Sequence, residues 1–509
     1  MTDMVARLQR FSEARRLYRF AGLGVLGALA ALGQAPWNLW PVTFLALSVV
    51  YGLYTHAPDW RRAATIGFWA GAGYFALSLS WIVEPFFVDA VRHGWLAPFA
   101  ILGVSFGFAI FWALSFGVAR ALGGSALAWI GAFTAFEALR GWLMTGFPWA
   151  QVGHVLIYTP WLYWASWSGA LGLILLVLVG ASALWYVFAG RRLIGGSAVL
   201  VLACLFGSGA ALTPPPTISD QMADAPIVRL IQPNAPQHEK WDPDKMQGFY
   251  DRQVAFTAEP GENGRPDMVI WPETALPVLL NHADETLAAI AIAAQGSEVV
   301  LGLRRLEGDR IFNSLIFMDG AGKLAGLYDK HHLVPFGEFM PLGGLLAKFG
   351  IKGLAAETGA GFSSGPGAQV LEMGSIGKAL PLICYEGVFA RNILSAPERP
   401  NVLLMITNDA WFGKVSGPYQ HLAQARLRSV EQGLPMVRAA NTGVSAVIDG
   451  AGHILAEIPL GEAGWIDAPL PPALAATPYS RLGDLPFVAL ALLLCAMGTA
   501  THARRSNSF

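Results

Sequence analysis

The chain has 509 residues, of which 54% are hydrophobic and only 14% charged, a balance too apolar for an ordinary soluble protein and too polar for a pure membrane bundle. Its net charge of -1 and the lack of any block of like charges give no sign of a nucleic-acid surface or an acidic tail. Three cysteines, two of them inside long apolar runs (Cys204 and Cys495), exclude a disulfide framework and leave Cys384 alone in the polar part of the chain.

Taken in chain order, seven apolar segments near 18–33, 38–55, 63–83, 95–118, 123–144, 162–189 and 194–212 approach the roughly 20 residues that cross a hydrocarbon core, and an eighth lies near 484–501. Basic residues near span ends mark the cytoplasmic side. Arg7, Arg10, Arg15 and Arg16, then Arg61 and Arg62, Arg120, Arg191 and Arg192, and finally Arg504 and Arg505 all fall on one side. The pattern predicts both termini in the cytoplasm and the polar stretch between spans seven and eight outside. The first span is expected to be retained, because Gly33-Gln34-Ala35-Pro36-Trp37 is a poor signal-peptide cleavage site. Glu137 and Arg140, three apart near a span end, read as a local ion pair.

The expected domains are a seven-span bundle over 1–212, a linker over 213–225 containing Pro214–Pro216, a catalytic domain over 226–475, a final span over 484–501 and a tail over 502–509. Within the catalytic domain short β-rich runs (Ile227–Ile231, Met268–Trp271, Val299–Leu303, Leu315–Met318, Ala379–Ile383, Val402–Thr407, Val444–Ile448) alternate with helical stretches such as Gln420–Gly433, which predicts a layered α/β domain. Asp319-Gly320 and Asp449-Gly450 are hairpin signals.

Three local sequences place reactive groups beside apolar strands. In MVIWPETALP, Glu273 follows a strand-ending proline, where it could serve as a general base or stand merely solvated. In YDKHHLVPFGEFMP, Lys330 could stabilise an oxyanion or form an exposed basic turn. His331 and His332 are adjacent and point apart in an extended segment, so no metal site is expected. In KALPLICYEGVF, Cys384 ends a strand with helical propensity behind it. A helix dipole and a nearby lysine would favour its thiolate, while the alternative is a buried inert thiol.

Jointly, the order Glu, Lys, Cys and the flanking WPE, YxKxHLVPFGE and CYE signatures resemble the nitrilase (carbon-nitrogen hydrolase) superfamily, and the seven preceding spans with one following look like the apolipoprotein N-acyltransferase family. The resemblance implies a multi-pass α-helical bundle of eight spans plus an extracytoplasmic αββα sandwich. It implies Glu273 as proton acceptor, Lys330 as oxyanion stabiliser and Cys384 as nucleophile, with Glu338, Tyr385, Glu386 and Trp241 (in QPNAPQHEKWDP) in support. TNDAWFG at 407–413 and the GFPW segment through Phe147, Pro148 and Trp149 match further family motifs.

The implied reaction moves an acyl chain from a phospholipid to the amine of a diacylglyceryl apolipoprotein through a thioester, in a monomer at the bacterial inner membrane, with the catalytic domain periplasmic. No cofactor, metal or nucleic acid is expected. Phe336–Leu342 reads equally as a lipid-facing flap hinged at Gly337, Gly343 and Gly344, with Phe336, Phe339, Met340, Trp411 and Trp149 as its apolar surface, or as a segment packed against the sandwich. A tethered amidase using the same three residues would explain the domain but not the spans, and a binding protein with a degenerate domain would have lost those residues.

Overall fold

The computed structural model describes residues 16–217, 222–261, 264–341 and 361–506. The chain divides into one unit of Met1–Thr213, Val415–Ala423 and Thr477–Phe509, and a second of Pro214–Lys414 and Gln424–Ala476.

The first unit is helical: α1 (Arg16–Ala31), α2 (Trp40–Thr55), α3 (Trp60–Ser78), α4 (Ala90–His93), α5 (Ala97–Ala121), α6 (Ala126–Trp142), α7 (Ala165–Phe188) and α8 (Arg192–Leu212), joined from the far end by α13 (Pro478–Leu482) and α14 (Leu485–Ser506). Among the described residues three helical stretches are long and apolar enough to cross a membrane, Ala90–Ala121, Pro160–Phe188 and Arg192–Leu212. A fourth results if α3 and the segment Ser80–Phe87, bent by 47° against it, count as one. The apolar parts of α1, α2 and α14 are shorter, and α6 carries the charges of Glu137 and Arg140. The eight long segments of the sequence reading therefore differ in length more than their composition suggested.

Small residues let α1 and α3 touch: a Cβ on Gly27 would lie 1.8 Å from the Ala70 carbonyl oxygen, and one on Gly73 equally close to that of Gly24. The Glu137–Arg140 pair forms at 2.7 Å.

The second unit is built on two six-stranded sheets. One has the order β12-β1-β2-β3-β4-β5, from β1 (Ile227–Gln232), β2 (Met268–Ile270), β3 (Glu298–Glu307), β4 (Arg310–Met318), β5 (Leu324–Asp329) and β12 (Gly464–Pro469). The other has the order β11-β10-β9-β8-β7-β6, from β6 (Leu371–Glu372), β7 (Lys378–Ile383), β8 (Val402–Thr407), β9 (Met436–Ala440), β10 (Ser445–Ile448) and β11 (Ile454–Ile458). In each sheet three parallel strands, β1-β2-β3 and β7-β8-β9, are flanked by antiparallel ones. The predicted hairpins are the β4–β5 and β10–β11 turns.

Strand alternation sorts the apolar side chains into layers. Val228, Leu230, Met268, Ile270, Val300 and Leu315 share one core with Ile383, Leu404, Ile406 and Val437 of the other sheet. Their alternates Ile231, Val269, Trp271, Leu301 and Ile316 pack with Ile290 and Ala294 of α10 (Asp284–Ala294) and with Tyr250 and Val254 of α9 (Met246–Ala258). The second sheet is followed by α11 (Ala390–Leu394) and, after β8, by α12 (Gly417–Gln432).

Candidate active site

Parallel strands leave their carboxyl ends open to a common crevice, and the chemically able residues collect there. Glu273 follows β2, Cys384 follows β7 directly, and Asn408 and Asp409 follow β8. Glu273 sits where β3 has no side chain: a Cβ on Gly302 would lie 2.7 Å from the Glu273 Cα.

The Glu273 carboxylate is buried. Its Oε1 accepts from Asn313 Nδ2 at 2.7 Å and lies 3.6 Å from Lys330 Nζ. Lys330 Nζ donates to Glu338 Oε1 at 2.8 Å, and Asn313 Nδ2 also reaches that oxygen at 3.2 Å. Glu338 Oε2 takes the Val334 amide at 2.8 Å, so this carboxylate also pins the turn that holds Phe336. Lys240, likewise buried, donates from Nζ to the Glu273 carbonyl and to Thr274 Oγ1, both at 3.1 Å.

Burial raises the Glu273 pKa above the ordinary carboxylate value; Lys330 opposes the rise and Glu338 adds to it. Burial pulls Lys330 down, but Glu338 and Glu273 outweigh it and hold the ammonium above the usual lysine range. Burial draws Lys240 down to about 8 against the partial support of Glu273.

Cys384 has φ 53 and is 5% exposed, so a residue with a Cβ occupies the left-handed region at the strand end. It opens a 3₁₀ helix of only five residues, Cys384–Val388. Burial pushes the thiol well above its ordinary pKa, the Glu273 charge adds to this, Lys330 offsets part of it, and a hydrogen bond from Thr407 favours the thiolate. Of the two readings open in the sequence, a favoured thiolate and a buried thiol, the surroundings of Cys384 lean to the buried thiol, because desolvation outweighs one short helix and one cation.

Glu386 ties the pieces together and is 0% exposed. Its carboxylate accepts from the His331 amide (2.8 Å), the His332 amide (3.1 Å), the Tyr328 hydroxyl (2.9 Å) and the Ile383 amide (2.8 Å). His331 Nδ1 lies 2.9 Å from the same group. Burial would raise the Glu386 pKa, yet His331 and the Ile383 amide bring it below the usual value. One carboxylate thus clamps the Lys330 loop to the Cys384 turn. The His332 ring instead stacks on Phe389 at 3.9 Å, and burial lowers its pKa to about 4.

The expected apolar residues separate. Phe336 is 59% exposed at φ 64, Trp241 and Trp411 are partly exposed, and Phe339 and Met340 are half-buried. Leu342, Gly343 and Gly344 lie outside the described residues. Trp149, expected to face lipid, is 1% exposed: its indole donates to Gln420 Oε1 at 2.8 Å and packs against Trp81 within the first unit. Tyr385 is buried against Phe389.

Several residues escaped the sequence reading. Asn313, a polar residue inside the apolar strand β4, was signalled by the break in that strand's pattern. Asp409 is fully buried, accepting from Thr407 Oγ1 at 2.9 Å and from Arg438 Nη2 at 2.6 Å. Nothing local in the sequence links Asp409 to Arg438, since β8–β9 pairing alone brings them together.

A buried thiol, a carboxylate biased towards taking a proton and an ammonium that can donate to an oxyanion are the kinds of group that covalent acyl transfer requires. The chain matches the family model described as carbon-nitrogen hydrolase over residues 227–479, which sets the class of the catalytic domain. Residues 26–209 match the apolipoprotein N-acyltransferase N-terminal domain. A relative from Rhodopseudomonas palustris named apolipoprotein N-acyltransferase is 40% identical over 501 residues, covering 92% of each chain. One of the same name from Caulobacter vibrioides is 39% identical over 505 residues, again covering 92% of each. Among solved structures, an amidase of the nitrilase superfamily from Nesterenkonia AN1 is 21% identical with a TM-score of 0.36, covering 52% of this chain and 96% of that one. The chain belongs to the apolipoprotein N-acyltransferase family.

Proposed function

We propose that this protein transfers an acyl chain from a phospholipid, phosphatidylethanolamine foremost, to the terminal amine of S-diacylglyceryl-cysteine lipoproteins, completing their maturation. The observation that carries this reading is the proximity of Glu273, Lys330 and Cys384, with Lys330 3.6 Å from Glu273 and the thiol within reach of both charges, in a chain that aligns with acyltransferase relatives along nearly its whole length.

In the first half-reaction Glu273 takes the thiol proton as Cys384 Sγ attacks the ester carbonyl. The raised thiol pKa means that this proton leaves during attack and not before, and the raised Glu273 pKa makes that carboxylate the stronger base. Lys330, fixed as an ammonium, and the Tyr385 backbone N–H steady the oxyanion. Collapse breaks the ester C–O bond, the lysophospholipid oxygen recovers the proton from Glu273, and a thioester remains. In the second half-reaction the lipoprotein amine attacks the thioester, Glu273 takes an amine proton, an amide forms, and the sulfur leaves and is reprotonated. Glu338, Asn313 and Glu386 hold the three reacting groups in place. The exposed rings of Phe336, Trp241 and Trp411 offer apolar surface to acyl chains and exclude water from the thioester.

The same reading assigns eight membrane crossings to α1, α2, α3, α5, α6, α7, α8 and α14, within the sequence partition of 1–212, 213–225, 226–475, 484–501 and 502–509. Arg61 and Arg62, Arg120, and Arg191 and Arg192 support both termini in the cytoplasm and the catalytic domain on the periplasmic side of a bacterial inner membrane.

The test is to incubate purified protein with phosphatidylethanolamine and weigh it. Wild type gains a hydroxylamine-labile acyl mass and Cys384→Ala gains none. An equal gain in both, or no gain in wild type, overturns the thioester. A diacylglyceryl lipopeptide then discharges the adduct as an amide, whereas discharge to water alone would mark a hydrolase.

A further inference from the structure

The neighbours Arg304 and Arg305 of β3 are treated oppositely. Arg305 is enclosed by acids, with Nε 2.8 Å from Asp329 Oδ1, Nη2 2.5 Å from Asp329 Oδ2 and 3.1 Å from Glu307 Oε2. Arg304 has no acid. Its Nε is buried without an acceptor, its guanidinium lies 5.0 Å from the centre of the Trp241 ring, and only burial acts on its pKa, lowering it. A partly buried cation with an idle donor is costly, and such a group calls for an explanation.

Strand alternation gives the location. Arg304 follows Val300 and Gly302 on the sandwich-facing side of β3, roughly 7 Å along the strand from the glycine that abuts Glu273. Lys240 Nζ lies 5.2 Å from the centre of the same Trp241 ring and spends two of its three protons on the Glu273 turn. The indole therefore carries two cations beside the base. The charged groups near this point are Arg304, Lys240 and, beyond the Thr274 turn, Glu273, whose carboxylate is already engaged by Asn313 and Lys330. No described residue supplies an anion to the positive charge at Arg304.

We propose that Arg304 binds the phosphate of the acyl-donor phospholipid and so sets the glycerol ester over Cys384. The proposal rests on the acyl-transfer reading, in which the donor alone brings a phosphate; the diacylglyceryl-cysteine acceptor has none. A planar guanidinium fork matches phosphate geometry, and the face of Trp241 beside it keeps it partly dehydrated.

The experiment measures acylation of Cys384 in the full-length protein from vesicles holding either phosphatidylethanolamine or a diacylglycerol with the same acyl chains. The readout is the ratio of the two rates. Arg304→Gln lowers the ratio about ten-fold or more, through the donor concentration at half-maximal rate, and Arg304→Lys restores part of it. Inorganic phosphate in the buffer competes weakly if any phosphate suffices, and not at all if the lipid must bring it; either outcome keeps the site. An unmoved ratio, even with both rates reduced, overturns the proposal and leaves Arg304 as packing for Trp241. So does a defect confined to amine transfer from a preformed thioester. Failure of the wild type to acylate from either lipid would instead strike the acyl-transfer reading itself.

Discussion

In the helical unit, Glu137 and Arg140 meet at 2.7 Å, Trp112 donates to the other carboxylate oxygen at 3.1 Å, and Arg140 also binds the carbonyls of Phe147 and Trp149. One acid meets one base and the charges cancel. In the catalytic unit Lys330 faces two carboxylates, Glu338 at 2.8 Å and Glu273 at 3.6 Å, with a thiol close enough to feel the charges of Glu273 and Lys330. Here no acid has a base to itself: Lys330 is shared, and Glu273 stays raised above the ordinary carboxylate value, so a proton has somewhere to go. Both clusters are buried; balance distinguishes the one that fixes a helix from the one that can work. Burial of charge by itself is weak grounds for function.

Three experiments press on that contrast. Removing the shared cation by Lys330→Met slows thioester formation about 10²–10³-fold in a single-turnover mass assay, and a loss below about ten-fold would reduce Lys330 to packing. Glu137→Gln strands Arg140 and lowers stability by about 2 kcal/mol, read as a fall in Tm in detergent. The acylation rate per folded molecule stays at the wild-type level; a matching loss of rate would mean that the bundle pair is not merely structural. The smallest effect is in pH. Glu273 acts as a base only when ionised and its pKa is raised, so the acylation rate climbs about ten-fold per pH unit along a limb lying above the ordinary carboxylate range, then levels off. Glu273→Gln abolishes the limb. A limb unchanged in that variant would assign the proton to another group.

Much of this was legible in sequence because it is local. Apolar runs such as Val402–Thr407 and Ala379–Ile383 are strands within a residue of their expected ends, and both Asp-Gly turns are hairpins. Glu273, Lys330 and Cys384 each stand out beside a strand. What stayed hidden depends on register or enclosure. Asn313 reaches Glu273 across the sheet, and Arg438 finds Asp409 only through strand pairing. The choice between a thiolate and a buried thiol at Cys384 stays open in the sequence because it turns on enclosure, which a linear sequence does not show. Trp149 fits an apolar surface by residue type alone, and the partner that buries it, an acceptor for its indole N–H 271 residues away, is not visible from the sequence.

Glu386 bears on how the site opens. Because its two oxygens hold the amides of His331 and His332 on one side and of Ile383 on the other, neither the lysine loop nor the cysteine turn can peel away without stranding a buried charge. Opening either segment alone costs hydrogen bonds to a buried carboxylate, so the clamp favours joint opening and disfavours a thiol laid bare to oxidants while its cation stays behind.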